Sequence, residues 1–248
     1  NDGGGTSGED STTGNTIFGY LASPSVSSSG FNNVAVGHKS LNALTHGDDN
    51  TAIGTLSMYR ATSSPQKNVA VGGLSMSGNW TSADVDGCVV VGYDALSGTL
   101  TTGATGSTAI GYQSLKALTS GARNTAVGYQ ASKVLTTGAD NTSLGWQALD
   151  ELVDGNYNTA IGSYALGDIV GGTTSDGSSN NTALGYNAAG GTWADQDCSN
   201  LVAIGAGSLA GALAGDTADG SVAVGRSALT ALTSGAGNTA VGYESLKT

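Results

Sequence analysis

Ser107-Thr108-Ala109-Ile110-Gly111, Asn124-Thr125-Ala126-Val127-Gly128, Asn141-Thr142-Ser143-Leu144-Gly145 and Asn158-Thr159-Ala160-Ile161-Gly162 follow one another at a constant interval of 17 residues. A pentapeptide that returns at a fixed interval marks a repeat architecture and governs the reading of everything around it. Outward from this block, thirteen copies align on the closing glycine, from Gly19 to Gly242, at intervals of 17 to 23 residues. With the first pentapeptide residue numbered zero, position one is Thr in eight copies and Val in five. Position two is Ala in ten copies, position three is always large and apolar, and position four is always Gly.

β-Branched and apolar residues at alternating positions read as a short strand whose side chains point to opposite faces in turn. Positions one and three share one face; the Ala and Gly share the other. Neither face carries charge, so both are expected to be covered. The bulky face is expected to fill the interior of each coil. The Ala/Gly face, suited to close backbone approach, is expected to press against a sister chain. Leu or Met recurs at position eight (Leu41, Met58, Met76, Leu96, Leu115, Leu149), often with Leu three residues on (Leu44, Leu118, Leu152). This spacing fits a helical turn as well as a second strand; a second short strand or an irregular segment is the favoured reading. A Gly-containing turn then closes the repeat, as at Gly47, Gly121, Gly138, Gly155 and Gly235. Each repeat is one coil of a solenoid. Position zero is Asn in nine copies, and stacked coils about 4.8 Å apart bring these amides into a hydrogen-bonded ladder.

The fold class expected is therefore all-β: a parallel β-roll or β-solenoid of thirteen coils, about 60 Å long at that spacing. Residues 1–14, rich in Gly, Ser, Thr and acid, read as a flexible N-terminal arm, and 15–248 as a single repeat domain. Each coil offers few large apolar side chains, worth roughly 1.5–3 kcal/mol apiece when buried, against about 1–2 kcal/mol for ordering each backbone residue. That thin core predicts a parallel homotrimer.

Among 248 residues, 41 are Gly, two are Pro and 11% are charged, with net charge −11. Eight scattered basic residues exclude the clustered cation surface that nucleic acid requires. No apolar run approaches the length needed for a membrane-spanning helix. No signal peptide is visible, and a chain opening at Asn1 without Met is expected to be processed or excised from something longer. Cys88 and Cys198 lie five coils apart, too far for an intrachain disulfide, and read as small buried fillers.

The Asn-Thr-Ala-Val-Gly-Tyr units at 124–129 and 238–243 resemble the repeats of phage tail-fibre-like proteins. They are similar also to the head repeats of trimeric autotransporter adhesins, where a Val-Ala-Ile-Gly-type segment winds a left-handed parallel β-roll. The resemblance spans nearly the whole chain and implies architecture more than ligand. The coil here is longer than the adhesin unit, and no stalk, membrane anchor or self-cleaving chaperone is recognisable.

Position five is Tyr or Trp in seven copies, four of them consecutive: Tyr93, Tyr112, Tyr129 and Trp146. A strip of stacked aromatics suits sugar rings, and equally a structural ladder or subunit contact. Trp80 and Trp193 lie in inserted loops with Asp neighbours, where a rigid scaffold concentrates binding groups; packing of the loop onto its coil is the alternative. These six aromatics are the candidate ligand-binding residues. Asp48-Asp49, Asp84/Asp86 and Asp195/Asp197 are candidate Ca2+ ligands, but none fits the Asp-x-Asp-x-Asp-Gly loop, and solvated turns are the favoured reading. No cofactor is expected. His38 and His46 have no partnered nucleophile, so no enzyme is expected.

The function expected is a non-enzymatic structural and adhesive fibre module, extracellular or on a virion, contacting a cell-surface glycan or protein. The alternative is a subunit of an extracellular filament joined end to end. An ice-binding solenoid is disfavoured because position three lacks a second Thr. A polysaccharide-degrading one is disfavoured because the strands carry no acid.

Overall fold

The computed structural model describes residues 13–25, 30–62, 64–80, 85–167, 177–191, 198–211 and 218–247. Most of the expected arm, and Asp84, Asp195 and Asp197, therefore lie outside the described residues. The chain forms two compact units, Asn1–Arg123 and Asn124–Thr248. Each follows the same plan.

In the first unit six three-residue strands pair in chain order: β1 (Thr16–Phe18), β2 (Val34–Val36), β3 (Thr51–Ile53), β4 (Val69–Val71), β5 (Val89–Val91) and β6 (Thr108–Ile110). All pairings are parallel and in register, so Ala35 faces Ala52 and Ala52 faces Ala70. The second unit repeats this with β7 (Thr125–Val127), β8 (Thr142–Leu144), β9 (Thr159–Ile161), β10 (Thr182–Leu184), β11 (Val202–Ile204), β12 (Val222–Val224) and β13 (Thr239–Val241). Its neighbours also pair in parallel. The all-β solenoid follows from the sequence period. The described residues contain no α-helix; a 3-10 turn spans Thr102–Ala104.

The second segment of the coil is neither strand nor helix. It is a run of turns with left-handed residues at positions six and eight, such as Lys39 (φ 56°) and Leu41 (φ 48°). A third left-handed corner, Asp49 (φ 59°), precedes the next strand. Left-handed backbone is unfavourable for a bulky residue such as Leu. Here it is offset because Leu41 is fully buried and its N–H donates to the Ser57 carbonyl of the next coil, 3.0 Å away. Hydrogen bonding between coils thus continues far beyond the strands, which satisfies turn backbone that would otherwise be buried unpaired.

The structure reverses the expected faces. Ala35, Ala52, Ala70 and Ala109 are fully buried inside the coil, with Leu or Met of position eight and Leu of position eleven. Positions one and three point outward: Leu144 is 46% and Leu184 45% exposed, and Phe18, Ile53 and Ile110 are exposed too. The cause is cross-section. Leu41, Leu44, the Asn of position zero and Ser40 already occupy the interior of one coil, leaving room at position two for little more than a methyl group. Ser132 shows this coupling, for it replaces the usual Leu and donates to the hydroxyl of Ser143, the polar occupant of position two in the next coil, at 2.9 Å.

The glycine column likewise serves its own stack and not a sister chain. A Cβ on Gly37 would stand 2.5 Å from the carbonyl oxygen of Gly54, and Gly37 itself has φ +129°. Both the close approach and the dihedral exclude any other residue there.

The amide ladder forms as expected. In the first unit Asn50 donates its side-chain N–H to Asn33 Oδ1 (3.0 Å) and to the Pro65 carbonyl (2.7 Å). Its own Oδ1 accepts from the backbone and side chain of Asn68. Asn124, Asn141, Asn158 and Asn181 continue the pattern in the second unit. Cys88 takes the next rung after Asn68: its N–H donates to Asn68 Oδ1 at 2.9 Å and its thiol to the Ala104 carbonyl at 3.4 Å. Both cysteines are buried thiols. Burial pushes the Cys88 thiol up to about 11.

Candidate functional site

Because positions zero to three are locked by strand pairing and the Asn ladder, position five emerges at a fixed corner just past the glycine. Its side chains form an exposed column. In the first unit Tyr93 and Tyr112 stack with ring centroids 6.0 Å apart and planes 9° from parallel. Tyr20 stacks on His38 at 5.7 Å. In the second unit Tyr129 and Trp146 lie 4.1 Å apart at 10°. The rings remain open to solvent, with Trp146 47% exposed.

The two tryptophans expected in loops behave differently. Trp80 is only 4% exposed, bridges in parallel to Leu100, and donates its indole N–H to the Met76 carbonyl at 3.3 Å. Its ring is part of the core, so it offers no surface to a ligand. Trp193 lies outside the described residues.

Sequence reasoning did not pick out the groove beside Trp146. It has a volume of about 330 Å3 and is lined by Gln147, Asp150, Glu151, Tyr164, Asn187 and the glycines Gly167 and Gly190. Position six supplies Gln147, Tyr164 and Asn187 from three successive coils. All three have left-handed backbone, at φ 50°, 59° and 52°. That corner aims one side chain per coil to the same side. Trp146 donates its indole N–H to Gln147 Oε1 (2.7 Å), and Gln147 donates to Asp150 Oδ2 (2.9 Å). Tyr164 meets Tyr186 edge-on at 6.3 Å. The only advance signal was Tyr164 itself, an aromatic one place beyond the aromatic column.

A second polar cluster sits in the first unit. Asp94, also at position six, accepts from Ser97 (2.7 Å) and Gln113 (2.9 Å) and pairs with Lys116 at 2.8 Å. Burial raises its carboxyl, but the hydrogen bonds from Lys116, Ser97 and Gln113 outweigh this and hold it below the ordinary value.

The acidic turn residues are tied into the stack. Asp48 Oδ1 accepts from the Phe31 N–H at 2.9 Å, and Asp86 Oδ1 from Gln66 N–H at 2.7 Å. In the second unit Asp219 Oδ1 accepts from Ser199 N–H at 2.7 Å, and Asn156 serves Ala139 in the same way. These side chains form a second ladder, two residues before position zero. Among the described residues no three His, Cys, Asp or Glu side chains gather as a metal site. Nor, among them, is any helix long and apolar enough to cross a membrane. Compared with known proteins, the chain matches no family model and no curated sequence, so its coils and exposed columns are the ground for reading its role.

Proposed function

We propose that this protein is a non-enzymatic fibre module, of the tail-fibre-like or adhesin-like kind, working outside the cell or on a virion. In this reading the chains pack as a parallel homotrimer, and the exposed side-chain columns contact a cell-surface glycan or protein. The observation that carries it is the outward Thr/Val and Val/Ile/Leu face, a continuous uncharged stripe within each unit. Uncharged surface stripes that carry a row of exposed large apolar side chains mark interaction sites. Each coil adds two half-exposed β-branched or apolar side chains. Covering what remains exposed contributes on the order of 1 kcal/mol per side chain. Six coils therefore supply on the order of 10 kcal/mol, enough to offset an association cost of about 4–15 kcal/mol. In-register coils give every copy the same stripe, which suits a closed symmetric assembly.

Light scattering on purified protein tests the assembly. A mass of three chains is expected, and the double variant Ile110→Lys/Leu144→Lys should fall to monomer while keeping its β-type circular dichroism. A stable monomer of the unaltered protein refutes the proposal. Negative-stain images showing long filaments instead of discrete particles would favour end-to-end assembly.

A further inference from the structure

Resting on the adhesive reading above, we propose that the groove of the second unit is a binding site for an uncharged sugar residue, such as a hexose or N-acetylhexosamine at the end of a surface glycan. Sugar recognition calls for an aromatic face for the C–H side of a pyranose ring and, beside it, fixed donors and acceptors for hydroxyls. The groove supplies both. Tyr164 is exposed and lines it, held edge-on by Tyr186. Trp146 is tied to the lining residue Gln147 by its indole N–H, and Tyr129 stacks on Trp146. Gln147 and Asn187 carry amides, able to donate and accept; Asp150 and Glu151 carry carboxylates, strong acceptors for hydroxyl groups.

Three features set the ligand class. Among the described residues, the polar lining combines amides with acids and holds no Lys, Arg or His. The chain carries net charge −11. A sialic or uronic acid would therefore enter against like charge. A cationic group is the other chemistry that acid and aromatic sides attract. The amides of Gln147 and Asn187, which pair with sugar hydroxyls as both donors and acceptors, favour the neutral ligand over it. Gln147, Tyr164 and Asn187 stand on left-handed corners of successive coils, so these three side chains are preorganised, which lowers the ordering cost of binding.

The experiment is a glycan array followed by calorimetric titration of the full chain with the neutral oligosaccharide that binds best. An acidic oligosaccharide and a Lys/Arg-rich peptide serve as comparison ligands. Tyr164→Ala and Asn187→Ala are each expected to weaken neutral-sugar binding by about tenfold or more. Arg60→Ala, at an exposed position of the first unit outside the aromatic column, should leave it unchanged. Circular dichroism and light scattering establish that each variant keeps its fold and assembly. Neutral-sugar binding that survives both groove variants overturns this site while leaving the adhesive reading intact. Preference for the acidic sugar, or for the peptide with loss on Glu151→Gln, overturns the ligand class. A correctly assembled trimer that binds no glycan overturns this inference but not the proposed assembly.

Discussion

Replacing Asn141 by Ala tests the ladder at its most regular point. Asn141 Oδ1 accepts from the backbone N–H of Asn158 (2.9 Å) and from its side chain (3.0 Å). Its Nδ2 donates to Asn124 Oδ1 (3.1 Å) and to the Gly155 carbonyl (2.8 Å). Two of the four groups keep a partner after truncation: Asn124 Oδ1 still accepts from the Asn141 backbone, and Asn158 Nδ2 still donates to Ser178. The Asn158 backbone N–H and the Gly155 carbonyl lose theirs, in residues that are buried. Each buried orphan costs about 1–3 kcal/mol, so the expected destabilisation is about 4 kcal/mol. Urea titration measures the total, and amide hydrogen exchange at Asn158 reads the local effect, since repeat stacks need not unfold in one step. Asn42→Ala is the control, because that part-buried side chain makes one bond, to the Leu21 carbonyl at 3.1 Å, and should cost less than about 1.5 kcal/mol. A loss at Asn141 no larger than at Asn42, with Asn158 exchange unchanged, would refute the ladder as a source of stability.

Gly37→Ala is expected to cost about 3 kcal/mol or more, from the clash with the Gly54 carbonyl and the positive φ; thermal melting reads it directly. The Cys88 thiol, pushed up to about 11 by burial, should resist alkylation at pH 8 in native protein and react promptly in denaturant. Cys88→Asn should stabilise by about 1 kcal/mol, because an amide can donate to both Asn68 Oδ1 and the Ala104 carbonyl as the other rungs do. Asp94 has a folded pKa below its unfolded one, so its contribution is complete above about pH 4 and fades as the pH falls through the folded value. Lys116 is 40% exposed, so the effect is small, under about 1 kcal/mol. Lys116→Met should flatten that part of the stability–pH curve.

Much of the fold could be read before any coordinates. The 17-residue interval, the invariant Gly and the Asn at position zero each name a physical constraint: a coil length, a close approach and a buried amide stack. Each appears in the structure where expected, though the glycine serves the neighbouring coil instead of a sister chain. The site was less legible. Tyr129 and Trp146 showed as a column because aromatics at one fixed position must stack once the coils do. Trp80 misled, since an aromatic in a longer coil looks like a loop residue until its indole is found under the Met76 carbonyl. Gln147, Tyr164 and Asn187 share no residue type, so nothing in composition joins them.

The sequence by itself determined the period, the parallel in-register stacking and the hydrogen-bonded asparagine rungs, because all three depend only on which residue recurs at which interval. Only the tertiary structure decided which strand face is interior and where the position-six corners converge. Period-two alternation defines two faces without ranking them. The ranking came from the space left inside a coil once Leu41, Leu44 and Asn33 had filled it, which is a property of the closed ring and not of any local stretch.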